Sequence, residues 1–161
     1  MNNVVKGILL FLLIYGLFSL AGFLFPIDQE WYNSLDKPSW TPPGSVIGIV
    51  WGVLFAFISL SIVLAWSSKE EPFPPLFWTV LLINYVTNQL FSFFQFEVKD
   101  LLLATVDTFL VAVTTSILII LIRKYNKVSS WLLVPYLLWT TFATYLAFTF
   151  YRLNPTETFL M

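Results

Sequence analysis

Residues 101–122 read LLLATVDTFLVAVTTSILIILI, twenty-two positions carrying a single charge, Asp107. As a helix this run is about 32 Å long, which matches a hydrocarbon core of roughly 30 Å. Four more runs of the same kind lie outward from it: Val4–Phe25, Ser45–Trp66, Leu76–Phe96 and Trp131–Tyr151. Lipid offers no partners to backbone amides, so runs of this length are read as helices that bond internally. The reading is an all-α integral membrane protein, a single domain over residues 1–161 built as a five-helix bundle. The first run has Lys6 near its start and Ser19 and Ala21 near its end, as a signal peptide would. Its apolar stretch continues through Phe25, so an uncleaved span is expected.

Composition points the same way. Hydrophobic residues make up 58% of the 161 positions and charged residues 11%, about half the charged share of soluble domains. The net charge of −1 leaves no basic stripe for nucleic acid. There is no Cys or His, and the two Met residues are the chain ends, Met1 and Met161. Disulfides, zinc sites, Cys–His nucleophiles and the usual axial haem ligands are therefore not expected, and no metal site is read from the chain.

The breaks set the topology. Residues 26–44 form the longest connection, with Pro26, Pro38, Pro42 and Pro43; prolines fix φ, so an extended, stiff, lid-like loop is expected. The second loop carries Lys69, Glu70 and Glu71, the third is the tight turn Glu97–Asp100, and the fourth is basic. Lys6, Lys69, Arg123, Lys124 and Lys127 lie on one side against Lys37, Lys99 and Arg152 on the other. That asymmetry favours a cytoplasmic N-terminus, with the long loop outside.

Several positions stand out from the apolar background. Gly48, Gly52 and Ala56 recur every four residues, a small-residue face that allows close helix approach, within one chain or between two. Trp51 beside it lies deeper than an interfacial belt and is either core filler or a cavity wall. In the third run Asn84, Asn88, Phe91 and Gln95 share one helical face, polar at three of four places. Such a face either bonds to neighbouring helices or anchors a ligand's carbonyls, carboxylates or ring nitrogens, with Gln95 the weaker candidate near the helix end. Asp107 has no intramembrane Lys, Arg or His to pair with and reads as a hydrogen-bonded structural acid. Pro135 should kink the fifth helix and place Trp139, one turn on, against a cavity.

These residues together resemble the TspO family, the bacterial tryptophan-rich sensory proteins and the mitochondrial translocator proteins. The resemblance rests on Trp31 through Lys37-Pro38, Trp40 and Pro42-Pro43; on Trp51; on Ala104-Thr105-Val106-Asp107; and on Pro135-Tyr136-Leu137, Trp139 and Phe142-Ala143. It implies a five-helix bundle, often a homodimer, in a bacterial cell membrane. It also implies a pocket under the first loop that accepts porphyrins and drug-like aromatic ligands, and a part in stress response. A Trp-Ser pair common in the third helix is absent, Asn88-Gln89-Leu90-Phe91-Ser92 standing there. The animal sterol motif is unmatched, with Phe148 at its central tyrosine position, so sterol handling is not implied.

A porphyrin needs aromatic walls, polar anchors and a lid near water. The candidate ligand residues are Tyr32, Trp51, Asn84, Asn88, Phe91, Pro135, Trp139 and Ala143. Without strong axial ligands, metal-free protoporphyrin IX is expected over haem, as a ligand and not a cofactor. The functional expectation is a tetrapyrrole binder that senses or sequesters porphyrin. As the resemblance to bacterial members implies, it would promote light- and oxygen-dependent degradation, with Trp51 and Trp139 supplying electrons. A transporter of porphyrins or other small hydrophobic ligands is the alternative.

Overall fold

The computed structural model describes residues 2–68 and 71–159. Met1, Lys69, Glu70, Leu160 and Met161 lie outside the described residues, and with them two of the loop charges and both methionines discussed above. In chain order the elements are α1 (Asn3–Ser19), α2 (Ala21–Leu24), α3 (Gln29–Ser34), α4 (Gly44–Ser68), α5 (Pro75–Ser92), a π-helical turn (Phe93–Glu97), α6 (Leu101–Arg123), α7 (Lys127–Leu132) and α8 (Val134–Leu153). They make five spans long and apolar enough to cross a membrane, Asn3–Leu24, Gly44–Ser68, Pro75–Glu97, Leu101–Arg123 and Lys127–Leu153.

Local chemistry sets the ends. The side chains of Asn2, Asp28, Asp100 and Asn126 accept the first free N–H groups of α1, α3, α6 and α7, and Pro75 opens α5, where a missing N–H costs nothing. The first and fifth spans are each broken. Pro135 lacks an N–H, and the chain interrupts its helix at Leu133, close to where the sequence predicts a kink. The break between α1 and α2 at Leu20 has no proline, and its freed backbone groups find partners on another helix. Ala21 N–H donates to Gln89 Oε1 at 2.8 Å, and Gln89 Nε2 donates to Phe18 O at 3.3 Å. In lipid such groups cannot turn to water, so one glutamine of α5 makes the break tenable.

The α6 span is central, packed along both α5 and α8, while α1 lies against α4. Buried positions make up 44% of the α6 window but 11% of the first span's, whose outward Leu, Ile and Val side chains face lipid. Packing is uneven along the bundle axis. At the end holding the second and fourth loops, Phe73 stacks on Phe77 at 4.3 Å and meets Tyr125 edge-on at 4.6 Å, around the fully buried Ala65 and Ile122. The opposite end, under the first loop, is hollow.

One expectation is corrected here and a second is narrowed. The first loop is not extended throughout: its prolines flank residues 29–34 without entering them, and Asp28 caps a short helix there. Of the two crossings that Gly48 and Gly52 allow, the one within the chain is not formed. A Cβ on Gly48 would meet nothing within 4 Å, and one on Gly52 only the Tyr15 hydroxyl at 3.7 Å. Their missing side chains leave space instead.

Candidate functional site

The first loop is pinned down as a lid. Leu35 is buried with Leu101 and Phe150, a contact that contributes roughly 1.5–3 kcal/mol. Tyr32 stacks on Phe150 with centroids 6.0 Å apart and meets Phe96 edge-on. Asp28 pairs with Lys99 at 2.7 Å; that ammonium, with the Trp31 N–H, holds the Asp28 carboxyl below its ordinary pKa. The segment after α8 straps the lid from outside. Asp36 N–H donates to Asn154 Oδ1, and Asn154 Nδ2 to Asp36 O, both at 2.9 Å, while Trp31 Nε1 donates to Glu157 Oε2 at 3.0 Å. The strap is itself tied to the start of α6, where Leu101 N–H donates to Glu157 O and Phe159 N–H to Asp100 Oδ2, each at 2.9 Å. Burial works against the Asp100 carboxylate, but the N–H groups of Leu103 and Phe159 and the Thr158 hydroxyl outweigh it and hold its pKa below the ordinary value.

Beneath the lid is a cavity of about 280 Å³. Its walls are Trp51 of α4, Phe91, Gln95 and Phe96 of the third span, and Trp139, Phe142 and Ala143 of α8, with Tyr32 and Asn33 in the roof. A neighbouring cavity of about 360 Å³ runs toward the first span between Gly22, Gly48, Gly52 and Asn88. The two share Ile27, Gly44, Ile47, Trp51, Phe91 and Phe96 in their linings, so they adjoin along a common wall.

The structure separates the sequence candidates. Tyr32, Trp51, Phe91, Trp139 and Ala143 border the lid cavity, and Asn88 borders the neighbouring one. Pro135 is not brought to either; it lines an outward groove on the α4–α8 face, because the break turns its ring to the outside of the bundle. Asn84 borders neither cavity. It is 1% exposed, and its Nδ2 reaches Thr114 Oγ1 at 2.9 Å, Thr115 Oγ1 at 3.0 Å and Val111 O at 3.2 Å, while its Oδ1 accepts from the Tyr136 hydroxyl at 3.3 Å. Asn84 therefore joins α5, α6 and α8. Asn88 donates to the same Tyr136 oxygen at 3.1 Å, so it links this network to the cavity edge.

Asp107 departs from its expected hydrogen-bonded state. It is 4% exposed, and its Oδ2 has no hydrogen-bond partner among the described residues. The reason is local: Thr105, Thr108, Thr114 and Thr115 each donate their hydroxyl to a carbonyl one turn back on α6, leaving none for the acid. The Trp139 Nε1–H is likewise buried without an acceptor among the described residues. Gln89, the clamp of the first span, drew no notice in the sequence because its role depends on where α1 breaks. Gln95 was visible as the last member of the polar face.

Comparison with known proteins places this architecture. The profile of the TspO/MBR family matches residues 8–152. The chain is 52% identical to the "Tryptophan-rich protein TspO" of Bacillus cereus over 149 residues, covering 92% of this chain and 97% of that one. It is 51% identical over 154 residues to a Bacillus subtilis protein described as "Uncharacterized membrane protein YtaB", covering 96% and 99%. Similarity extends to the human "Translocator protein", 30% identical over 145 residues that cover 86% and 83% of the two chains.

Proposed function

The chain belongs to the TspO/MBR family of membrane proteins, and from that premise we propose that it binds a tetrapyrrole, protoporphyrin IX, under its strapped lid and promotes the ligand's light- and oxygen-dependent breakdown. The observation that carries this reading is the convergence of two indoles from separate helices, Trp51 and Trp139, on one aromatic-walled cavity. A broad flat macrocycle suits two adjoining cavities that share Trp51, Phe91 and Phe96 as aromatic lining. No His, Cys or internal Met is present to bind a central iron strongly, which favours the metal-free ring over haem. The excess of Lys and Arg at the opposite end favours an N-terminus in the cytoplasm and the lid outside.

In this reading the photoexcited ring takes an electron from an adjacent indole and passes it to molecular oxygen, and the indole radical recovers an electron from the ring, so the ring is oxidised and oxygen reduced. Phenylalanine keeps an aromatic wall but is a much poorer donor. Trp51→Phe and Trp139→Phe should retain most dark binding, since stacking contributes about 0.5–1.5 kcal/mol beyond area burial and is largely preserved. Both should lose most light-driven decay of the porphyrin absorbance, and wild-type decay should stop without oxygen. Bleaching of bound porphyrin by the variants at the wild-type rate would reduce the indoles to walls and the protein to a binder.

A further inference from the structure

The third span carries four side-chain amides, and three of them are engaged inside the bundle. Asn84 and Asn88 meet Tyr136 and the α6 threonines, and Gln89 clamps the first span. Gln95 is the exception. It is 5% exposed, borders the lid cavity, and makes no hydrogen bond among the described residues. A carboxamide can donate two hydrogen bonds and accept two more, and the polar atoms of Gln95 are not among the side-chain atoms sealed away without a partner, so that capacity is open to the cavity. Its local backbone is also unusual. The span closes in a π-helical turn, with Val98 N–H donating to Phe93 O at 2.9 Å, and Gln95 sits within that widened turn. Such turns occur often at functional sites.

Two other groups at the lid end have free donor capacity. The Tyr32 hydroxyl borders the same cavity and makes no hydrogen bond among the described residues; burial pushes its pKa up, so it keeps its proton and remains a donor. The Lys37 ammonium lies 4.8 Å from the centroid of the Tyr32 ring and touches only the Leu35 carbonyl, at 3.4 Å. Lys37 has no ion pair among the described residues, whereas Lys99 is paired with Asp28. The deeper walls are apolar and aromatic. Tyr32 and Gln95 therefore bring polar groups to a largely apolar cavity, and the Lys37 ammonium lies on the ring of the same tyrosine.

We propose that Gln95 is the specificity-determining residue of this pocket, reading with the Tyr32 hydroxyl a carboxylate on an aromatic ligand, while Lys37 supplies the positive charge at the mouth. The ligand class is an aromatic carboxylate held acid-end outward. This deepens the tetrapyrrole reading and rests on it. A neutral amide and a phenol can donate to a carboxylate without competing charge, and hydrogen bonds to an ionised group are the stronger kind.

The test compares protoporphyrin IX with its dimethyl ester, titrated in the dark into the full chain in detergent and followed by tryptophan quenching. The wild-type protein should bind the diacid more tightly than the diester. Gln95→Leu should weaken diacid binding about tenfold, the effect of losing one hydrogen bond to a charged group, and leave diester binding within about twofold. Gln95→Glu, nearly the same shape but anionic, should weaken the diacid further and spare the diester. Retained diester binding also reports that each variant is folded. Equal weakening of both ligands, or no change in either, overturns the role of Gln95 while the tetrapyrrole reading stands. A wild-type protein that binds neither ligand overturns both.

Discussion

Asn84 is held by three helices at once, and its environment decides what its loss would do. Replacing it with leucine leaves the Tyr136 hydroxyl without its acceptor in a site that is fully buried. Polar contacts inside membranes average well under 1 kcal/mol each, but an orphaned buried hydroxyl adds its own cost. Asn84→Leu should destabilise the bundle by about 1–2 kcal/mol, seen as a lower unfolding midpoint in a fixed detergent. Ligand affinity should change less than about twofold, because the side chain borders neither cavity. A collapse of affinity with unchanged stability would place Asn84 at the ligand. The polar face of Asn84, Asn88 and Gln95 was legible from spacing alone. Which of its amides are engaged internally was not, since Thr114, Thr115 and Tyr136 belong to helices whose register the sequence does not state.

At the scale of elements, the strap from Asn154 to Phe159 is the least expected part of the site. Nothing in its composition marks it, and its value lies in partners more than fifty residues away: Asp36, Trp31 and Asp100. Asp100 joins it to α6, and its lowered pKa gives the joint a pH dependence. A carboxyl whose folded pKa lies below its unfolded value stabilises in full above the ordinary carboxylate range, and that contribution is lost as pH falls through the folded value. Protection of the amides of Asn154 and residues 156–159 from hydrogen exchange should therefore hold at neutral pH and fall below about pH 4. Asp100→Asn should show the same loss at neutral pH, and unchanged protection in that variant would contradict the assignment. The helical spans were legible because lipid forces apolar runs into helices. The break at Leu133 was legible from Pro135, but the break at Leu20 and the short lid helix were not, because both depend on side chains that arrive from elsewhere, Gln89 and the strap.

For the whole molecule, the governing feature is the difference between its two ends. One is filled by Phe73, Phe77 and Tyr125 around Ala65 and Ile122; the other is held open by glycines on α4 and roofed by a strapped loop. The charge asymmetry between the ends could be counted in the sequence, but the hollow could not, because Gly48 and Gly52 read there as a packing seam. The central claim is that the hollow end holds a tetrapyrrole, and Ala143 allows a direct test, since it borders that cavity and phenylalanine there would fill it. The deciding measurement is a dark absorbance titration of wild-type and Ala143→Phe protein with protoporphyrin IX. We predict a saturable shift of the main porphyrin band for the wild type, and for Ala143→Phe an affinity lower by about tenfold or more, with an unchanged helical spectrum. Identical titrations of the two proteins, or no saturable shift in the wild type, would contradict the account.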